Sequence, residues 1–183
     1  IDGDFYEWNF CPGQLSNSPK INNSFFLQKS LPLGITYVAE NGNWYGFYTS
    51  RQDNSINRLE FGSDLNSIPT EISLGNPGNL LSSVDKIEII KEGNNWYGFV
   101  LNETSTGKLI RLDFGNDITG SPSAEDLGSL GNRLNLPKGI SVDSTSTDKV
   151  VTIVNRGNDR LISVNFGNSF SNAVEESNIL QSN

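Results

Sequence analysis

Three acidic residues lie in corresponding polar segments and could do acid–base or metal chemistry together. Asp53, Glu103 and Asp159 belong to the segments RQDNS, ETSTGK and RGNDR, each of which follows an apolar run. If those segments meet at one rim of the fold, the carboxylates could act as general acid and base or bind a divalent metal. The favoured interpretation is that they are solvated turn residues, because turns prefer Asp, Asn and Gly. They remain our candidate ligand-binding residues.

A second acidic pair could bind Ca²⁺. Asp64 and Asp117 follow two Phe-Gly dipeptides at corresponding positions. Ca²⁺ takes six to eight oxygen ligands, and neither segment has the ligand spacing of a known calcium loop. Side chains that cap a turn explain both residues more simply. We therefore predict no cofactor, with Ca²⁺ as the alternative.

Composition excludes several kinds of chemistry. The 183 residues contain no His and one Cys, Cys11, which excludes Ser-His-Asp and Cys-His catalysis within the chain as well as thiolate metal clusters. The balance of 13 Lys and Arg against 21 Asp and Glu gives a net charge of −8. Nucleic acid and anionic membrane surfaces are poor partners for such a chain. No apolar run approaches the roughly 20 residues that span a bilayer.

A repeat of about 52 residues organises the sequence and must position these side chains. NWYGF occurs at 43–47 and at 95–99, and the third block of each repeat ends in Phe-Gly. The Phe residues of that block are Phe61, Phe114 and Phe166. YEWNF at 6–10 matches the same block, so the chain begins within a repeat. The boundaries are approximately 1–30 for a half unit, then 31–82, 83–135 and 136–183.

Each full repeat predicts four short strands. The first strands are expected at 34–39, 86–91 and 139–143, the second at 44–50, 96–102 and 150–155, and the fourth near 70–74, 123–127 and 174–180. Four strands per unit of about 50 residues is typical of a β-propeller blade. A β-sandwich is the competing interpretation, but it does not explain a strict repeat. We predict an all-β fold with four-stranded antiparallel blades, in a single domain over 1–183.

The repeated aromatic residues are predicted to form the core. In the run WYGFYTS at 44–50, alternate residues on both faces are apolar, so each sheet must be covered on both sides. An aromatic platform for sugar rings is the alternative. Trp8 belongs to the incomplete unit and stays a candidate ligand-binding residue. The predicted core consists of Trp44, Phe47, Phe61, Trp96, Phe99, Phe114 and Phe166.

The motif order resembles the NHL-type propeller repeat. Residues 137–167 carry it most clearly, with Pro-x-Gly-Ile, a Val-Val strand, Asp-Arg-Leu and Phe-Gly. The longer form with NWYGF and RLDFG is similar to repeats in secreted, multidomain surface proteins of Bacteroidota, which implies type IX secretion, adhesion or gliding motility. NHL-like lyases are expected to use His, which this chain lacks.

About three and a half blades cannot close a propeller of four to eight blades. We therefore expect other chains, or the rest of the same polypeptide, to complete it, and glycan is a further candidate partner. The predicted function is a non-catalytic extracellular module for binding or display. The alternatives are a metal-dependent propeller hydrolase or lyase and a structural subunit of a larger complex.

Overall fold

Three four-stranded antiparallel sheets make up most of the molecule in a computed structural model. The structure describes residues 4–9, 20–144 and 147–182, and only the backbone of 4–9 and 20–24. A hairpin of β1 (Asp4–Asn9) and β2 (Lys20–Phe26) precedes the three sheets. Cys11 lies outside the described residues.

The sheets follow one another along the chain, and each is a meander whose strands pair in sequence order. The first sheet contains β3 (Pro32–Glu40), β4 (Asn43–Ser50), β5 (Ser55–Gly62) and β6 (Thr70–Gly75). The second contains β7 (Val84–Glu92), β8 (Asn95–Asn102), β9 (Lys108–Gly115) and β10 (Ser123–Asp126). The third contains β11 (Pro137–Asp143), β12 (Val150–Asn155), β13 (Arg160–Asn165) and β14 (Ile179–Gln181).

The prediction of an all-β chain with four-stranded antiparallel sheets is confirmed. The fourth strand of the third repeat differs from its predicted range. It was expected near 174–180, but a short 3-10 turn at Glu176–Asn178 intervenes and β14 spans only three residues, Ile179–Gln181. No helix among the described residues is long and apolar enough to cross a membrane.

The sheets pack face to face, and their first strands β3, β7 and β11 lie side by side. We call the contact between the first and second sheets the first junction and that between the second and third sheets the second junction. Each junction has its own apolar core. A third cluster joins the first sheet to Phe25 and Leu27, in β2 and just beyond it. Every sheet thus buries side chains on at least one face, as the two-sided apolar pattern of the second strands predicts.

Two glycines of the repeat allow close approaches, Gly34 between two sheets and Gly98 within one sheet. A Cβ on Gly34 would lie 2.7 Å from the Asp85 carbonyl oxygen and 2.7 Å from the Lys86 Cα, so β3 approaches β7 at this point. A Cβ on Gly98 of the NWYGF motif would lie 2.9 Å from a methyl carbon of Ile89. The motif glycines therefore provide room for the neighbouring strand and side chains.

The predicted core aromatics are placed mainly at the junctions. Phe47 and Phe99, one repeat apart, are fully buried, in the first and second junctions respectively. Trp44 is only half-buried, because it packs on the side of the first sheet that faces Phe25. The other four predicted core residues are buried, at 7% exposure or less: Phe61, Trp96, Phe114 and Phe166.

Candidate functional site

The turn between the second and third strands has the same backbone anchor in all three sheets. We call these turns, with the residues that enter the first strands, the rim. The residue before each first strand has a positive φ of about 50°, and its carbonyl oxygen accepts a hydrogen bond from the first residue of the turn. The three bonds run from the backbone N of Arg51, Glu103 and Arg156 to the carbonyl O of Leu31 (3.1 Å), Ser83 (3.0 Å) and Leu136 (3.3 Å).

This shared anchor brings charged side chains from all three sheets together in what we call the rim cluster: Arg51, Asp85, Glu103, Lys138 and Arg156. The Glu103 side chain is 3% exposed and accepts hydrogen bonds from Arg51, from Lys138 at 3.0 Å and from Arg156 at 2.9 Å. Arg51 and Arg156 come from the first and third sheets. A single carboxylate of the second sheet therefore joins all three.

Asp85 is the second buried carboxylate of the rim cluster. Its side chain is 2% exposed, and one carboxylate oxygen lies 3.2 Å from the Lys138 ammonium. The other oxygen, Oδ2, has no hydrogen-bond partner among the described residues. The backbone carbonyl of Asp85 accepts a hydrogen bond from the Thr49 hydroxyl at 2.7 Å. Asp85 thus joins its strand to the first and third sheets.

Glu103 titrates below its ordinary range. Burial raises the pKa of this carboxyl, but the hydrogen bonds and positive charges of Arg51 and Lys138 outweigh burial, so that the pKa of Glu103 is lowered. The carboxylate is consequently ionised at neutral pH and neutralised by its neighbours. This arrangement favours an ion-pair link over proton transfer.

Of the three predicted rim acids, only Glu103 is buried. Asp53 and Asp159 are exposed on the turns of the first and third sheets, and Asp53 accepts a hydrogen bond from the Ser50 hydroxyl at 3.2 Å. The interpretation of Glu103 as a solvated turn residue is wrong, because cations of the neighbouring sheets cover it. Trp8 lies in β1, and its side chain is outside the described residues.

The two predicted calcium candidates cap their own turns. Asp64 accepts hydrogen bonds from the backbone N of Asn66 at 2.9 Å and from its side chain at 2.8 Å. Asp117 accepts from the backbone N of Thr119 at 2.9 Å and from its hydroxyl at 2.6 Å. These hydrogen bonds lower the pKa of both carboxyls. Within the described ranges, no group of three His, Cys, Asp or Glu is arranged to hold a metal.

A buried arginine crosses each junction at the same repeat position. Arg58 donates to the carbonyl oxygens of Ile118 at 3.4 Å and Gly120 at 3.3 Å in the second sheet's loop. Arg111, 53 residues later, donates to the carbonyl oxygens of Phe170 and Asn172, the latter at 2.7 Å. Each arginine also pairs with a glutamate of its own sheet, Glu60 or Glu125. These links were not predicted from the sequence, although the Arg-Leu dipeptides at 58–59 and 111–112 recur at the same repeat position.

An aromatic pair accompanies each arginine. The rings of Phe47 and Phe114 are 5.5 Å apart across the first junction, and those of Phe99 and Phe166 are 5.5 Å apart across the second. Within the sheets, Phe47 pairs with Arg58 on the adjacent strand, and Phe99 pairs with Arg111. The two junctions therefore use the same cross-strand pair and the same aromatic contact.

Among the described residues, no further sheet covers the outer face of the third sheet, which is turned away from the second sheet. Strand register places Val154 and Leu161 where the second sheet has Leu101 and Leu109. Val154 is 52% exposed and Leu161 is 46% exposed, whereas both leucines of the second sheet are 0% exposed. Leu180, on β14, is 69% exposed. We call the surface formed by Thr152, Val154, Leu161, Ser163 and Leu180 the outer face.

On the outer face, polar residues replace the Phe-Arg cross-strand pair that is found at each junction. Thr152 and Ser163 occupy the positions of Phe99 and Arg111, and their hydroxyl oxygens lie 3.3 Å apart. At the rim end, a groove is lined by charged and apolar side chains together, among them Lys138, Val154, Arg156, Asp159, Arg160 and Leu161. Three cations face one carboxylate in this groove. The arrangement can bind a partner surface that is apolar and bordered by negative charge.

Comparison with known proteins does not assign the chain to a group. No family model matches it, and no curated protein matches it. The rim cluster, the junctions and the outer face are therefore the features of the chain that bear on its function.

Proposed function

We propose that this chain is a non-catalytic binding module, a part of a β-propeller that works within a larger extracellular assembly. The observation that carries the proposal is the outer face. It exposes three large apolar side chains, Val154, Leu161 and Leu180, and the counterparts of the first two on the second sheet are fully buried. Exposed apolar surface bordered by polar residues marks sites of protein contact.

Three features support the propeller part of the proposal. Successive four-stranded meanders follow the chain, their first strands lie side by side, and neighbouring sheets pack through equivalent faces. The β1–β2 hairpin supplies two further strands before the first sheet. A propeller arranges its blades in this way around an axis. Completion by other chains or by further sequence follows from this proposal.

The use of the charged groups supports a binding role. Glu103 and Asp85 join the sheets, while Asp64 and Asp117 cap turns. A hydrolase would instead gather carboxylates around a reacting centre or a metal. The extracellular assignment is supported by the abundance of Asn, Ser and Gly beside few Lys.

Light scattering tests the binding role with the chain and a variant in which Val154, Leu161 and Leu180 are replaced by Ser. We expect the chain to associate as its concentration rises, while the folded variant stays monomeric, because the variant lacks the apolar surface. Ester and lactone hydrolysis are measured with added Ca²⁺ or Zn²⁺ and again after chelation. Metal-dependent hydrolysis by both proteins, with no difference in association, would contradict the proposal and favour the hydrolase alternative.

A further inference from the structure

Charged side chains of the rim border the outer face, where Lys138 and Arg156 line one groove with Val154 and Leu161. Building on the proposed function, we propose that the partner of the outer face is a further sheet of this repeat type that carries a carboxylate at the position of Glu103. The two junctions within the molecule define how such a sheet packs. The order of charges along the rim defines which charge that sheet must carry.

The rim charges alternate from sheet to sheet. Arg51, Glu103 and Arg156 occupy the same repeat position, since each donates its backbone N–H to the residue before its first strand. In the first junction the arginine belongs to the earlier sheet and the carboxylate to the later one. In the second junction the order is reversed. A further sheet packed on the third would repeat the order of the first junction, arginine and then carboxylate, only if it carried an acidic residue at this repeat position.

Residues of the first strands also favour an acidic residue on the docked sheet. Leu33, Asp85 and Lys138 share one position, and Asp85 pairs with Lys138 across the second junction. Gly34 approaches Asp85 across the first junction, and Gly139 is the repeat equivalent of Gly34. An acidic residue at the Asp85 position of a docked sheet therefore comes beside Gly139, next to Lys138. A basic residue there would repel Lys138.

The outer face also relies more on these charges than either internal junction does. Thr152 and Ser163 provide neither the aromatic ring nor the arginine that fix the two internal junctions. The Lys138 and Arg156 side chains are 43% and 59% exposed, so both can donate hydrogen bonds to a further carboxylate. The apolar residues provide the buried contact area, and the cations determine which partner charge is favoured.

Fusion proteins test this inference with the chain's own repeats. One fusion appends a copy of residues 76–128 after residue 182, which presents copies of Asp85 and Glu103 to the outer face. The matched control appends residues 129–182, a sheet of the same type that presents Lys138 and Arg156. A third fusion repeats the first with Glu103→Lys in the copy only. Hydroxyl-radical labelling of Leu161 and Leu180 measures whether the outer face is covered.

We expect labelling of both leucines to fall about fivefold or more in the acidic fusion and to change less than about twofold in the two basic fusions, as like charges repel at the rim. Adding Arg156→Glu to the Glu103→Lys fusion should restore protection by exchanging the charges. Equal protection by acidic and basic sheets would overturn this inference and leave the proposed function standing. No protection by any fusion, including one whose appended sheet stays unfolded, would contradict both.

Discussion

The face of the second sheet that packs on the third sheet has the same strand register as the outer face of the third sheet. The first is covered and the second is exposed. On the second sheet, Phe99 and Arg111 form the cross-strand pair, and the third sheet covers them. On the third sheet, Thr152 and Ser163 form that pair, and Val154 beside them is 52% exposed. The difference shows that strand pairing within a sheet does not depend on a covered face. We expect the side chains at these two positions to determine much of how firmly a neighbouring sheet is held.

The largest expected effect comes from removing the aromatic member of a covered pair. Phe99→Ala should lower the free energy of unfolding by about 3–5 kcal/mol, because it leaves a cavity against Phe166 and Phe170. Thr152→Ala, at the same position on the outer face, should cost less than about 1 kcal/mol. Urea unfolding of both variants measures the contrast. Equal losses would mean that the outer face is also packed.

The arginine link should have the next largest effect. Arg111→Met keeps much of the side-chain volume but leaves the carbonyl oxygens of Phe170 and Asn172 without this donor, at a cost of about 2 kcal/mol. Ser163→Ala is the matched control, and its effect should be below about 0.5 kcal/mol. Thermal unfolding by circular dichroism measures both. A stable Arg111→Met variant would show that apolar packing alone holds the second junction.

Glu103→Gln separates the charge of the rim from its shape. We expect a loss of about 2 kcal/mol at pH 7, because three cations lose their shared carboxylate. The pKa of Glu103 is lowered in the folded chain, so the stabilisation is complete above the ordinary value of 4.5 and disappears as pH falls through the lowered pKa. The difference between the two proteins should therefore shrink below about pH 4.5. A difference that stays constant to pH 2 would contradict the ion-pair account.

The smallest effect is expected on the first strands. Burial raises the pKa of Glu88, and a hydrogen bond from the Thr36 hydroxyl only partly opposes this, so the folded chain disfavours the ionised form relative to the unfolded chain. Its contribution to stability is present below pH 4.5 and is lost as pH rises through the raised pKa. Glu88→Gln keeps an acceptor for Thr36 and should raise the melting temperature by about 1 °C at pH 7. A gain of equal size at pH 4 would rule out titration as its cause.

The sequence repeat predicted the sheets well because backbone pairing follows local patterns. The NWYGF motif marked β4 and β8, and the Phe-Gly blocks marked the third strands, since alternating apolar residues and turn residues specify strands directly. β14 was placed less well, because the segment before it lacks a clear alternation. Its position depends on pairing with β13.

The rim cluster was harder to predict, since its contacts join residues about 52 positions apart. Glu103 was identified as a candidate, but Arg51 and Arg156 were missed as its partners. Their positions within the repeat were visible in the sequence. What the sequence did not provide was the distance between sheets, which allows a side chain to reach its counterpart one repeat away. The exposure of Val154 and Leu161 likewise depends on which sheets are present, and not on their own residue type.

One pair of substitutions tests most directly whether the outer face is open. Leu109→Ala and Leu161→Ala remove the same side chain from the same position in the second and third sheets. The free energy of unfolding in dilute solution should fall by about 3 kcal/mol for Leu109→Ala and by less than about 1 kcal/mol for Leu161→Ala. Losses of equal size would contradict the account, because they would show that the outer face is already buried in the isolated chain.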